Sequence, residues 1–385
     1  MSTEDVWQNM ENKPIGRMPM IMAKEKCKRR WQTITIADVA AKAGVSKATV
    51  SLVLNDKSSP IKISENTRQL VLATAKELKY SPNRLAKAFS TSRSNILGIV
   101  TSSAYDLFKS EYSARALKAI AQAAHDEKNN IMIFDDEIIS KTDPHSCSAS
   151  LIATHYIDGL IFLVPDKPNP PMALRTKALK ESGMPHVFLW RRPLEVEGTT
   201  IQVNNALGVQ LATNYLLSLG HRRIAVVTHG GASSSSNERL HAFQQALSDH
   251  GVEYRKDLVW HDELHPADDH RIVDEILALP RRPTAIFSFY DPIALNIINI
   301  LANKQVKVPD EISVMGFGDL YSEALTRPSL TSVREPVEQI GKNAVSTLLQ
   351  QLNQPGTVSP DMELTIDPSL VIRGSCGPAS DYKNS

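Results

Sequence analysis

The segment from Thr35 to Asn55 constrains the chain most. Ile36, Val39, Ala40 and Ala43 fall at i, i+3, i+4 and i+7, the apolar stripe of a helix that Thr35 can cap. Gly44 follows, where a helix ends on a left-handed residue, and Val45 can plug the core behind it. Ser46 is a good cap for a second helix from Lys47 to Leu54. That helix is expected to bury Val50, Val53 and Leu54 and to expose Lys47, Ala48, Thr49, Ser51 and Asn55. A third helix should run from its cap Ser64 to about Lys79, with Val71, Ala75 and Leu78 closing a small core. Two short helices about a glycine turn make a helix-turn-helix, whose second helix fits the major groove of DNA. A three-helix bundle with no nucleic-acid role is the plainer alternative.

Charge weighs between them. The whole chain of 385 residues is nearly neutral at +1, yet residues 24–93 hold 15 Lys/Arg against 5 Asp/Glu. The remainder is therefore net acidic, and a basic head on an acidic body points to a polyanion at one end only. Residues 1–31 lack helical or strand periodicity and end in the basic run Lys24 to Arg30. They read as a disordered leader or as a start placed too early, with Met18, Met20 and Met22 as later starts. A basic arm adding phosphate contacts is the sharper reading.

From Ile96 the pattern changes to alternating strands and helices. Strands are expected at Ile96–Val100, Ile131–Phe134, Gly159–Val164, His186–Leu189, Ile224–Val227, Ala285–Ser288 and Ile312–Phe317. The intervening helices run from Ser113 to Glu127, Ala206 to Leu219, Asn237 to His250, Asp268 to Ala278 and Pro292 to Lys304. Such alternation implies parallel sheets covered by helices on both faces. Two series of similar size suggest two doubly wound lobes with a ligand cleft between them. The expected fold is thus an all-α helix-turn-helix head on an α/β core. The expected segments are 1–31 leader, 32–80 head, 81–94 hinge and linker, and 95–385 core.

The residues carrying chemistry do not assemble an enzyme. No G-x-G-x-x-G and no P-loop follows a strand, and no G-x-S-x-G elbow is present. Gly230-Gly231 with the following serines reads as a surface loop rather than a phosphate cradle. His261 and His265 stand at i, i+4, but Pro266 breaks the register, so a loop is favoured over a zinc site. No metal, catalytic residue or cofactor is called for. Cys27, Cys147 and Cys376 are odd in number and widely spaced, which argues against a disulfide framework. No run of 18 apolar residues exists, and the polar start is not an export signal, so a cytoplasmic protein is expected.

The segments Thr35-Ile36-Ala37-Asp38-Val39-Ala40, Ala43-Gly44-Val45-Ser46, Ala48-Thr49-Val50-Ser51 and Leu54-Asn55 resemble the head of the lactose/galactose repressor (LacI/GalR) family, as does Tyr80-Ser81-Pro82-Asn83-Arg84-Leu85-Ala86. Looser similarity continues through Leu219-Gly220-His221-Arg222-Arg223-Ile224, Ile312 to Phe317, Pro328 to Val333 and Leu370 to Ser375. The resemblance implies a periplasmic-binding-protein-like core and a homodimeric regulator, most often a repressor, on palindromic double-stranded operator DNA. A small-molecule effector, a sugar or sugar acid, would control it, with no membrane involved.

Thr35, Ser46, Lys47, Ala48, Thr49, Ser51, Leu52 and Asn55 are the candidate DNA contacts of the head. Leu52 stands where relatives often have Arg, which moves base reading to Lys47, Ala48, Thr49, Ser51 and Asn55, with Lys47 the best candidate for a guanine contact. The family's hinge helix implies minor-groove contacts at Asn83, Ala86 and Phe89, with Phe89 in place of the usual leucine wedge. For the effector, Arg239 matches the arginine that grips polar groups and Asp291 the acid that accepts from sugar hydroxyls. Arg191 stands where relatives often have Asp, and Asn204-Asn205 where they often have Asp-Asn. Tyr105 and Phe108 could supply an aromatic wall, and Trp190 and Phe289 are further candidate effector contacts. Arg191 with Arg239 suits an anionic ligand; alternatively Arg191 pairs with Asp291 or faces solvent.

Overall fold

The computed structural model describes residues 34–54, 63–80, 93–101, 107–108, 110–135, 156–164, 179, 182–192, 197–229, 234–262, 266–320, 327–354 and 362–380. The chain divides into two compact units, Met1–Asn83 and Arg84–Ser385. The leader, Asn55, the hinge residues Asn83, Ala86 and Phe89, and Tyr105 lie outside the described residues.

The first unit holds helices α1 (Ile36–Ala43), α2 (Lys47–Leu54) and α3 (Glu65–Glu77). Each start is locally written. The Asp38 carboxylate accepts from the Thr35 backbone N–H and hydroxyl, both at 2.7 Å, and these bonds lower its pKa. Ser46 Oγ accepts from Thr49 N at 3.1 Å and Ser64 Oγ from Thr67 N at 3.2 Å. Gly44 ends α1 at φ +66°. The core is Val39, Ala40, Ala43, Val50, Val53, Val71 and Ala75, with Leu54 and Leu78 half-buried around it. α3 stops two residues short of the expected Lys79, because Lys79 turns left-handed at φ +50° and Tyr80 N closes back on Ala75 O at 2.9 Å.

The second unit contains two six-stranded sheets. The first has the order β11-β5-β4-β3-β1-β2, all parallel. Its strands are β1 (Ile96–Thr101), β2 (Asn130–Asp135), β3 (Gly159–Leu163), β4 (His186–Leu189), β5 (Thr199–Val203) and β11 (Glu363–Ile366). The second has the order β12-β10-β9-β8-β6-β7, parallel except for β12. It comprises β6 (Ile224–His229), β7 (Val259–Asp262), β8 (Ala285–Ser288), β9 (Ser313–Gly318), β10 (Thr331–Arg334) and β12 (Ser369–Val371). Central strands such as Gly159–Leu163 and Ala285–Ser288 are buried along their whole length, as sheets covered on both faces require.

Helices α4 (Glu111–Asp126) and α9 (Val337–Asn353) pack together on the first sheet. Gly341 permits their closeness: a Cβ there would lie 2.6 Å from that of Ala119. Helices α5 (Asn205–Ser218), α6 (Ser234–Asp249), α7 (Pro266–Ala278) and α8 (Asp291–Asn303) cover the second sheet. The chain therefore crosses between lobes three times: from β5 to α5, from β10 to α9 and from β11 to β12.

Expected elements recur with ends shifted by up to three residues. The sequence reading missed β5, β7, β10 and β11 and the helix α9. β5 is Thr-Thr-Ile-Gln-Val, polar by composition yet largely buried. β7 corrects the loop assigned to His261: that residue sits on an edge strand, its Nδ1 2.7 Å from Thr228 Oγ1. Among the described residues, no helix is long and apolar enough to cross a membrane.

Candidate functional sites: the reading helix and the interlobe cleft

On α2 the residues Ser46, Lys47 and Ala48 are exposed, and Thr49, Ser51 and Leu52 are half-buried. Val50 and Val53 face the core. Lys47, Ala48, Ser51 and Leu52 thus share one outer face at i, i+1, i+4 and i+5. Ser46 and Thr49 hydroxyls are 2.9 Å apart, so the start of α2 is fixed by its own side chains. Lys42 of α1 bonds Glu77 of α3 at 2.6 Å, bracing the frame behind it.

The two lobes enclose a cavity of about 590 Å³. One wall carries Tyr112 of α4 and Trp190 after β4, their ring centroids 5.3 Å apart. Trp190 has φ +69°, a conformation that few bulky residues adopt and that its backbone bond to Ile201 O at 2.8 Å holds. The facing lobe contributes His229 and Tyr290, stacked at 5.0 Å. Arg191, Arg192 and Gln202 lie in the first lobe's wall, and Glu238 and Arg239 of α6 in the second's.

Arg239 is 9% exposed and anchored through all three nitrogens. Nε donates to Asn205 Oδ1 at 2.8 Å, Nη1 to Phe289 O at 2.7 Å and Nη2 to Glu335 Oε1 at 2.8 Å. Its guanidinium stands 3.6 Å over the Phe317 ring. Asn205 belongs to the first crossover between lobes and Glu335 to the second. Asn204 ties the first to the third through Asp367, at 2.9 Å. Arg115 of α4 reaches across to Asp319 O at 2.9 Å. Burial pushes the Glu335 carboxyl up, and Arg239 pulls it partly back. The enclosed Tyr112 hydroxyl is held well above its ordinary range by burial and by Glu335.

Asp291 and Phe289 are placed differently from expectation. Asp291 opens α8, is 1% exposed and is not part of the cavity wall. Its Oδ1 accepts from Ser332 Oγ at 2.6 Å and its Oδ2 from Leu320 N at 2.9 Å, which turns the carboxylate inward onto the 318–320 loop. Burial raises its pKa to about 6. Phe289 is a core residue that offers only its carbonyl, to Arg239. Phe108 is 65% exposed and also outside the wall. Trp190, Arg191 and Arg239 do come together there. Tyr112, Gln202, Glu238 and Glu335 were missed, and no local pattern marks them, because the wall forms only when distant chain segments meet.

Residues 35–83 match the family of bacterial regulatory proteins of the lacI type, and residues 213–376 match the periplasmic binding protein-like domain. This chain belongs to the LacI family. The HTH-type transcriptional repressor PurR of Erwinia tasmaniensis is 28% identical over 352 residues, covering 91% of this chain and 99% of the relative. The PurR repressor of Proteus mirabilis is 26% identical over 352 residues, with the same coverages. Among solved structures, the Lac repressor dimer bound to operator and the anti-inducer ONPF superposes with a TM-score of 0.75 at 25% identity, covering 89% of this chain and 99% of that one. The transcriptional regulator CelR–cellobiose complex gives 0.63 at 26% identity with the same coverages. This LacI-family chain is a DNA-binding transcriptional repressor of the effector-regulated kind and not an enzyme.

Proposed function

We propose that this LacI-family repressor binds a palindromic operator in the cytoplasm as a homodimer, and that a sugar entering the interlobe cleft changes its affinity for that operator. The observation carrying the effector reading is the wall itself. Aromatic faces from both lobes, Tyr112 with Trp190 and His229 with Tyr290, can meet the C–H faces of a sugar ring. Gln202, Asn205 and Glu238 can take its hydroxyls. The wall arginines Arg191, Arg192 and Arg239 are matched in number by Glu238, Glu335 and Glu363, which favours an uncharged sugar over a sugar acid. A relative solved with cellobiose and another solved as a dimer on its operator support both halves of the reading. Lys47, Ala48, Thr49, Ser51 and Asn55 read base edges, and Thr35, Ser46 and Leu52 complete the contact set of the head. Asn83, Ala86 and Phe89 add the minor-groove contacts.

If sugar and operator bias one lobe arrangement, each shifts the other's affinity by the same factor, typically about 5–150-fold. The test is selection of genomic fragments by the purified protein at two salt concentrations, followed by titration of the enriched site with neutral sugars and their acids. A palindrome whose binding falls steeply with salt, and a neutral sugar that moves it, are expected. A site moved only by acids, or no enriched palindrome, overturns the corresponding half.

A further inference from the structure

We propose that Glu335 sets the charge class of the effector: by occupying Arg239 inside the cleft, it makes the cleft select an uncharged, hydroxyl-bearing ligand over the carboxylate or phosphate counterpart. This rests on the reading of the cleft as the effector site.

An arginine in a ligand cavity ordinarily acts as a forked anion grip. Arg239 is already engaged here. Each of its nitrogens has a protein partner at 2.7–2.8 Å, and its flat face is covered by Phe317. The partner Glu335 is only 5% exposed, so the pair is hidden from the screening that weakens surface ion pairs. An anion approaching the guanidinium must sit beside Glu335 or displace it, and either way two negative charges share a confined space. Glu238, the neighbour of Arg239, makes this worse: its Oε2 accepts from Asn205 Nδ2 at 2.9 Å, and it lines the same wall. A hydroxyl meets no such penalty, since it donates to carboxylates and accepts from amides. The Tyr112 hydroxyl stays protonated at neutral pH and adds a neutral donor and acceptor nearby. The presence of Arg239 in the sequence therefore misleads, because its charge is cancelled by a residue 96 positions away that the second crossover brings to it.

The test compares the wild-type chain with Glu335→Gln and Glu335→Met, which remove the charge while packing differently. Galactose, galacturonate and inorganic phosphate are the calorimetric probes, and thermal melting verifies the fold. Either folded variant should bind phosphate and galacturonate at least tenfold more tightly than wild type does. The double variant Arg239→Gln/Glu335→Gln should lose that gain. Equal anion affinity in wild type and both variants, or a gain that persists in the double variant, overturns the assignment. If neither variant folds, wild type decides: preference for galactose supports the assignment, and preference for galacturonate overturns it. Wild type that binds neither sugar, beside a variant that gains phosphate, removes the sugar reading and leaves the role of Glu335 standing.

Discussion

The head and the second lobe are built on opposite uses of polar residues. In the head, polar side chains other than the buried Thr74, whose hydroxyl donates to Leu70 O at 2.8 Å, stay at the surface as caps or as the reading face, and the core consists of small residues from Val39 to Ala75. In the second lobe, four phenylalanines (Phe243, Phe287, Phe289 and Phe317) share the core, and ionised groups such as Asp291 and Arg239 are buried beside it. A large core can offset the desolvation of buried charge; a core of valines and alanines cannot. The head therefore presents a recognition surface written by consecutive residues. The lobe presents one assembled by packing.

The sharpest contrast is in core truncation. Phe287 is fully buried, edge-on to Phe289 at 5.1 Å and to Phe243 at 6.4 Å. Phe287→Ala should cost the core about 3–5 kcal/mol in urea unfolding. A loss below about 1.5 kcal/mol, the range of tolerated swaps, would mean that the aromatic core collapses around the gap and is no more specific than the head's.

The buried acid supplies the second contrast. With a pKa of about 6 in the fold against 3.8 unfolded, Asp291 holds more proton in the native state between those values. Its contribution to stability is complete below pH 3.8 and is lost as pH rises through about 6, by about 3 kcal/mol in all. Asp291→Asn can still accept from Leu320 N and donate to Ser332 Oγ. The variant should therefore gain on wild type as pH rises from 4 to 7. A constant difference in melting temperature over that range would show that Asp291 does not titrate there.

The same contrast decides what was legible in the sequence. The caps Thr35, Ser46 and Ser64, the left-handed Gly44 and the outward Lys47 follow from spacing within a turn or two, and the structure reproduces them. The lobes were legible wherever apolar runs announced a strand, but β5, β7, β10 and β11 are polar or only four residues long. The cleft was legible at Trp190 and Arg239, yet not in their partners. Glu335 meets Arg239 only because the chain crosses back after β10. Asp291 turns away because Ser332 and Leu320 N face it.

At the reading face the expected effect is on specificity rather than stability. Lys47 is exposed on α2, so Lys47→Ala should leave melting nearly unchanged. It should relax preference at one base pair in each half-site by about 1–3 kcal/mol. Weakening that is uniform over all sequences would instead make Lys47 a phosphate contact.

The smallest effect tests whether the head's geometry is local. Gly44 sits at φ +66°, and a Cβ added there would meet nothing within 4 Å. Gly44→Ala therefore isolates backbone strain from packing, at a cost of about 1–2 kcal/mol. Gly44→Asn should recover part of it, because a short polar side chain tolerates the left-handed region. Both variants should lower the melting temperature of the head and weaken operator binding in the same order, Ala more than Asn, while the core's urea midpoint stays fixed. If alanine is accepted with no change in melting, the turn between α1 and α2 is set by the packing of Val45 and Val50 rather than by the glycine, and the head is less locally written than its sequence implies.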